Sequence, residues 1–411
     1  MKKLIGLFLV FLLTASSVMA ETTLEDALIK SKIGSLEFRQ IVLDRDVQNK
    51  ALLQTLPSIL PYVNYTLSAD SSDMSEWSYS QSIGISQKLF DLPVFISLFT
   101  NKEYTDIANC VYLKGVYTLS QNVIEQYFSL LEYQVRLDLD TLLIKRESEN
   151  VRKGESQYNA GLISETEYLT LKSNYYNVMY SYKTDQNGYD AALINFKSLT
   201  GIDSPERLSD VDTIPIFEDI KSDADAMLKN IPEYVIAEKT YSASVAQEIS
   251  SVSEFAPKAS LNISYGLSDS VLDIDFSRFQ NESSFRAGIS VTFPVFTGFS
   301  RTLNVIDKSY ARKSSYIDFL KTSQNLSLEL ENLSGRISWT KDLYESAKNS
   351  HDASEKIFTK SQRLYESGEI STVDYITFQK SYLESSINFI KAKKEVYKLY
   401  YRYLYLIRRK S

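Results

Sequence analysis

The chain has 411 residues and a formal net charge of −7, and only 13 glycines and 8 prolines interrupt it. The negative charge disfavours nucleic acid and anionic lipid as partners, and the scarcity of helix breakers predicts long uninterrupted elements. His351 and Cys110 are the single histidine and the single cysteine, which excludes a histidine metal cluster and an internal disulfide. No nucleophile and base constellation or phosphate-binding glycine loop is visible, so neither enzymatic activity nor a cofactor is expected.

The N-terminus has the layout of a cleavable secretory signal peptide, residues 1–20. Two lysines precede an apolar run, Leu4–Leu13, and the small residues of a cleavage site follow it. The mature chain is expected to start near Glu21. No later apolar run is long enough for a membrane-spanning helix. Because Cys110 lies far from the cleavage site, the protein is not expected to be a lipoprotein.

An internal repeat organises the rest of the chain. The pattern Tyr-x-x-Gly-x-Ile-Ser-x-x-acid-Tyr occurs at residues 158–168 and returns at residues 365–375. Self-similarity of this kind predicts two copies of one structural unit. The copies are residues 21–204 and 225–411, and a polar, proline-containing linker, residues 205–224, separates them.

Each copy contains a predicted β-hairpin, at about residues 61–90 and about residues 257–296. Apolar and small polar residues alternate there, as in Val63, Tyr65 and Leu67 of the first copy. A soluble antiparallel sheet lying on a core would show the same alternation, but the signal peptide and the aromatic residues near the strand ends favour strands that cross a membrane. Four strands alone would leave unpaired edges in lipid, so oligomerisation must close the sheet.

The remaining residues are predicted to be helical. No proline lies between Pro93 and Gly161 or between Gly298 and Gly368, and apolar residues recur there at helical spacing. About 65 residues at about 1.5 Å each give helices of roughly 100 Å. His351 falls on an apolar stripe of the second long helix and is interpreted as a packing residue rather than a ligand.

Helix-end chemistry explains the repeated motif. Glycine suits the left-handed position that ends a helix. Serine suits the N-cap of the next helix, and an acid three residues later completes a capping box. The isoleucine before the serine and the tyrosine after the acid form a hydrophobic staple. Each copy is therefore predicted to be a long helical hairpin with one capped turn, at residues 161–164 and 368–371. The residues in these roles are Gly161, Ile163, Ser164, Glu167 and Tyr168 in the first copy and Gly368, Ile370, Ser371, Asp374 and Tyr375 in the second.

Together with this order of elements, three local motifs make the sequence resemble the TolC-like outer membrane efflux protein family, the outer membrane factors. The motifs are residues 199–201 at the end of copy one, residues 230–233 in the opening helix of copy two, and residues 293–298 at the end of its last strand. The resemblance covers essentially the whole mature chain. It implies a mainly α fold with a membrane β-sheet: a homotrimer with a twelve-stranded barrel in the lipid of a Gram-negative outer membrane, and a long α-helical tunnel in the periplasm.

The resemblance also implies a function. The trimer would be the passive exit duct of a tripartite efflux or type I secretion system, joined by a periplasmic adaptor protein to an inner membrane transporter of RND, ABC or MFS type. A secreted coiled-coil scaffold or adhesin is the alternative, and detergent dependence separates the two.

A gate is expected at the periplasmic tip, because acids after the second glycine turn ring the lumen in the family. Asp374 matches such a position, whereas Thr377 departs from the family pattern of a second acid one turn on, which weakens the case for a double-carboxylate cation site. Glu167 and Asp374 suit helix capping and lumen lining equally, and three carboxylates around a narrow axis would influence ion selectivity.

The tips are also the expected docking surface for the adaptor. Leu162 has no role in the predicted staple, and Glu369 occupies the matching position, so the two tips offer different surfaces. The docking residues are Gly161, Leu162, Ile163 and Ser164 in the first tip and Gly368, Glu369, Ile370 and Ser371 in the second.

Overall fold

The computed structural model describes residues 22–50, 53, 55–71, 77–203, 207–211, 213–217, 224–269 and 276–407. The predicted signal peptide, most of the turn between the first two strands, and residues 270–275 of the second such turn lie outside the described residues.

Helices account for most of the described residues, and four strands form one sheet. The helices are α1 (Leu24–Gly34), α2 (Leu36–Asn49), α3 (Leu92–Asn159), α4 (Glu165–Thr200), α5 (Ala224–Leu228), α6 (Pro232–Ser253), α7 (Phe276–Glu282), α8 (Ser300–Glu366) and α9 (Thr372–Leu406), with a short 3-10 helix at Leu56–Ser58. The strands are β1 (Tyr62–Asp70), β2 (Ser78–Phe90), β3 (Lys258–Asp269) and β4 (Ser284–Thr292).

The long helices form where glycine and proline are absent. Helix α3 has 68 residues and α8 has 67. Pro93 lies in the first turn of α3, where its missing N–H costs no intrahelical hydrogen bond. Helix α4 ends at Gly201, whose φ of 72° needs a residue without a β-carbon. Residues 160–164 join α3 to α4, and residues 367–371 join α8 to α9.

The sheet is antiparallel in the order β1-β2-β3-β4. Its register aligns Val63 with Ile85, Ile85 with Ile263, and Ile263 with Ala287, so the alternating apolar residues lie on one face in rows. A row of Asn64, Gly84 and Ser264 lies on the opposite face.

Two details of the second β-hairpin differ from the sequence prediction. Strand β4 ends at Thr292, whereas the predicted strand ran to about residue 296. Pro294 explains the early end, because it has no N–H to donate to a neighbouring strand. Between β3 and β4 the chain also forms the short helix α7, which the sequence analysis did not predict.

The chain divides into two compact units. The helical unit consists of Met1–Phe38, Thr118–Glu218 and Arg336–Tyr401, and the sheet unit of Arg39–Tyr117, Asp219–Gly335 and Arg402–Ser411. Tyr127, Phe128 and Phe196 are fully buried in the core of the helical unit. In the sheet unit Arg402 forms ion pairs with Glu329 at 2.6 Å and with Glu233 at 3.3 Å.

Described residues of the predicted linker pack within the helical unit. Leu208 is buried and forms an isolated parallel bridge with Thr22. The hydroxyl of Tyr127 donates to the carbonyl oxygen of Ser209 at 2.6 Å, and Lys393 pairs with Asp210 at 2.6 Å. Apart from Ala224, which begins α5, the described linker residues outside this bridge have no regular secondary structure.

Within the described residues, none of the helices combines the length and the hydropathy needed to cross a membrane.

Candidate functional site

The first helical tip is the turn between α3 and α4. Gly161 has a φ of 72°, and open space surrounds the position of its missing β-carbon. The N–H of Leu162 donates to the carbonyl of Gln157 at 2.8 Å, and the N–H of Gly161 donates to the carbonyl of Tyr158 at 2.9 Å. These two bonds form a Schellman motif, which satisfies the last carbonyls of α3. Glycine is therefore required by backbone conformation and not by lack of space.

Helix α4 begins with the predicted capping box. The N–H of Glu167 donates to the hydroxyl of Ser164 at 3.2 Å, and the N–H of Ser164 donates to the carboxylate of Glu167 at 2.9 Å. Two otherwise unpaired donors of the helix start are satisfied by this exchange.

The second tip, between α8 and α9, also has a left-handed glycine and a serine cap. Gly368 has a φ of 77°, and the N–H of Glu369 donates to the carbonyl of Leu364 at 2.8 Å. The N–H of Asp374 donates to the hydroxyl of Ser371 at 3.2 Å, and that hydroxyl donates to the carboxylate of Asp374 at 2.7 Å. The sequence repeat therefore corresponds to a repeat of turn and cap structure.

The repeated tyrosines stack across each turn. The ring centroids are 5.4 Å apart for Tyr158 and Tyr168, and 4.9 Å apart for Tyr365 and Tyr375. Ile370 packs on the buried cluster that contains Tyr375, as expected for a hydrophobic staple. Each tyrosine pair thus links the end of one helix to the start of the next.

The two tips expose different chemistry. Leu162 is 75% exposed, although it is a large apolar residue. The matching Glu369 accepts a hydrogen bond from the hydroxyl of Ser367 at 2.7 Å. An exposed leucine in one tip and a carboxylate in the other give the turns distinct surfaces.

The three gate candidates are exposed residues in or near the first turns of α4 and α9. Glu167 and Asp374 form hydrogen bonds with the N-cap serines Ser164 and Ser371, so both acids contribute to helix capping. Thr377 lies one turn after Asp374 on the exposed side of α9. Facing a lumen stays a prediction for all three residues.

Two contacts of α3 with the second tip were missed by the sequence analysis. The guanidinium carbon of Arg146 lies 3.9 Å from the ring centroid of Tyr375 and 5.1 Å from that of Tyr365. The side-chain amide of Asn150 reaches the Tyr365 hydroxyl at 3.5 Å. Arg146 and Asn150 are one helical turn apart, but no local sequence signal pairs them with residues of the other copy.

His351 is a packing residue, as its place on the apolar stripe of α8 predicted. Its ring stacks between Tyr382 and Phe389, with centroids 5.6 and 5.2 Å away, and its Nδ1 lies 3.2 Å from the hydroxyl oxygen of Ser386. Among the residues that the structure describes, no group of three metal-ligating side chains is present.

The structure is similar to solved outer membrane channels over nearly its whole length. The CmeC outer membrane channel of Campylobacter jejuni matches with a TM-score of 0.73 at 14% identity, covering 93% of this chain and 85% of that one. The MtrE outer membrane channel of Neisseria gonorrhoeae, in its open state, matches with a TM-score of 0.69 at 16% identity, covering 93% and 88%. In sequence, the outer membrane protein TolC of Salmonella enteritidis is 24% identical over 217 residues, 51% of this chain and 44% of TolC.

The fold is TolC-like. The match spans less than half the length of the curated relative, and no protein-family model matches the chain. The TolC-like fold confirms the predicted resemblance and the mainly helical class with few strands. The named structures are channels, which agrees with the expectation that the chain is not an enzyme.

Proposed function

We propose that three copies of the chain form an outer membrane channel, the exit duct of a tripartite efflux or type I secretion system. The similarity to outer membrane channels over 93% of the chain is the observation that carries this proposal. Substrates pass through passively, and the inner membrane transporter selects them. A periplasmic adaptor protein connects that transporter, of RND, ABC or MFS type, to the channel.

The chemistry of the sheet supports a place in lipid. Phe285, Ile289 and Val291 are large apolar residues on one face of β4 and are more than half exposed. Strands β1 and β4 are the edges of the four-stranded sheet. Unpaired edges are prohibitively costly in lipid, and three sheets joined edge to edge give a closed twelve-stranded barrel.

The helical tips support docking and gating. Leu162 presents an exposed apolar side chain in a turn whose fold does not require it, and in this proposal it contacts the adaptor protein. For the gate, three copies of Asp374 and Glu167 would place carboxylates around the duct entrance, with Thr377 one turn further. The contacts of Arg146 with Tyr365 and Tyr375 hold α3 against the second hairpin and would keep the entrance narrow.

Surface labelling tests the membrane placement. A cysteine at Asp73, between β1 and β2, or at Asp273, between β3 and β4, in a Cys110→Ser background should react with an impermeant maleimide on intact cells. A cysteine at Asp190, exposed on α4 in the helical unit, is the matched control and should react only after the outer membrane is ruptured. Labelling of position 190 on intact cells, or extraction of the protein without detergent, would favour a secreted scaffold instead.

A further inference from the structure

The helical unit contains a cavity between α3, α4 and α9 that the proposed channel function does not use. Its volume is about 370 Å³, within the range of small-molecule sites. Much of its wall is apolar. The apolar lining residues are Leu139, Leu143, Val178, Ile376 and Leu383.

Two buried polar side chains in the cavity wall have unsatisfied atoms. Asp140 is 5% exposed and Gln379 is 4% exposed, and both line the cavity. Within the described part of the chain, Oδ2 of Asp140 and Nε2 of Gln379 have no hydrogen-bond partner. An unsatisfied buried polar atom costs about 1–3 kcal/mol, so a polar ligand that hydrogen-bonds to these side chains would recover part of that cost.

The charge of the cavity favours a cation. Asp185 of α4 faces Asp140 of α3, and burial together with this neighbouring carboxylate raises the pKa of Asp140 to about 6. At pH 7 and above Asp140 is therefore mostly ionised. Asp185 and Glu147 are further acidic residues of the lining. Arg136 also lines the cavity, and its positive charge partly offsets that of Asp140. Its guanidinium is paired with Glu132 at 2.7 Å.

We propose that this cavity binds a small primary ammonium compound with an apolar chain. The ammonium group donates hydrogen bonds to Asp140 and Asp185, and the apolar chain lies against the leucines and Val178. A rotation of the Gln379 amide by half a turn presents its oxygen as a third acceptor, since nothing in the described chain holds its nitrogen. Lys380, the remaining cation of the lining, is exposed and retains its hydration.

Calorimetry with hexylammonium on the full chain in detergent at pH 8 tests the proposal, with hexanol and hexanoate as analogues of the same length and a protein-free micelle titration as the blank. We expect saturable binding of hexylammonium, and binding of either analogue weaker by about tenfold or more, because neither carries the cation that the carboxylates would bind.

The variants Asp140→Asn and Asp185→Asn should each weaken hexylammonium binding by about tenfold or more. Asp190→Asn, on an exposed face of α4 outside the cavity, is the matched control and should leave the affinity within about twofold. Melting temperatures at or above that of the parent protein would show that each variant is folded. The proposal would be overturned by equal binding of hexanol or by unchanged affinity in both cavity variants. It would also be overturned if no saturable binding occurs because a lysine or arginine of a neighbouring copy fills the site.

Discussion

Arg146 of α3 lies over the ring of Tyr375 of α9, with 3.9 Å from its guanidinium carbon to the ring centroid. Tyr375 in turn stacks on Tyr365 of α8 at 4.9 Å. One side chain of the first helical hairpin thus contacts both helices of the second hairpin close to its turn. A partly buried cation–π contact contributes about 1–2 kcal/mol, and in a trimer it occurs three times.

Arg146→Ala should raise the open probability of the channel, because it removes this link between the hairpins. Arg146→Lys should give an intermediate effect, since lysine keeps the charge but not the planar group. Single-channel recordings measure the change. Arg152→Ala, at an exposed position two turns along α3, serves as control. If Arg146→Ala has the same open probability as the parent protein, the contact does not contribute to gating.

Gly368→Ala should destabilise the second tip, because an L-residue at φ 77° costs about 1–2 kcal/mol. Gly335→Ala is the control. Its position inside α8 also has open space, but the helical backbone there should make alanine stabilising by roughly 1 kcal/mol. Hydrogen exchange at the turn and the melting temperature measure the effects of the two substitutions. Equal effects of both substitutions would mean that the left-handed turn does not limit the stability of the tip.

The protonation of Asp140 should make stability depend on pH. Its pKa rises from an ordinary 3.8 to about 6 in the folded chain, so the folded state binds the proton more tightly than the unfolded state. The free energy of unfolding therefore falls as pH rises from 3.8 to about 6, by on the order of 2–3 kcal/mol, and the loss is complete above that range.

Asp140→Asn should remove this dependence and raise the melting temperature more at pH 8 than at pH 5. Thermal unfolding followed by circular dichroism at the two pH values measures it, with Asp190→Asn as the matched control. The charged groups that line the same cavity are Arg136, Glu147, Asp185 and Lys380. An equal difference between variant and parent at both pH values would contradict a buried titrating carboxyl group.

Leu162→Asp should abolish export while trimers and surface exposure persist, because it places a charge on the exposed apolar residue of the first tip. Leu162→Met keeps the apolar surface and should retain export. In vivo crosslinking from position 162 identifies the neighbour: crosslinks to an adaptor protein support docking, whereas crosslinks to other copies of the chain alone would refute it.

Local chemistry made the tips predictable from sequence. The left-handed glycines and the serine caps depend on residues within one or two turns, and Gly161, Ser164, Gly368 and Ser371 occupy the predicted roles. The strands followed from their two-residue alternation, which the register of the sheet reproduces.

Contacts between distant segments were not predictable in the same way. Arg146 and Tyr375 belong to different copies of the repeat, and Asp140, Asp185 and Gln379 come from three helices. Each residue alone resembles an ordinary polar position on a helix, and only tertiary packing brings them together. The packing of the linker through Leu208 was missed for the same reason, because its polar composition resembles that of a free connection.

Conductance of the purified protein in planar lipid bilayers tests the central claim most directly. The account predicts that detergent-extracted trimers give discrete conductance steps, and that Asp374→Ala alters the block by divalent cations because one carboxylate per copy is lost at the entrance. A protein that stays monomeric without detergent and gives no steps in the bilayer would contradict the account and identify the chain as a scaffold.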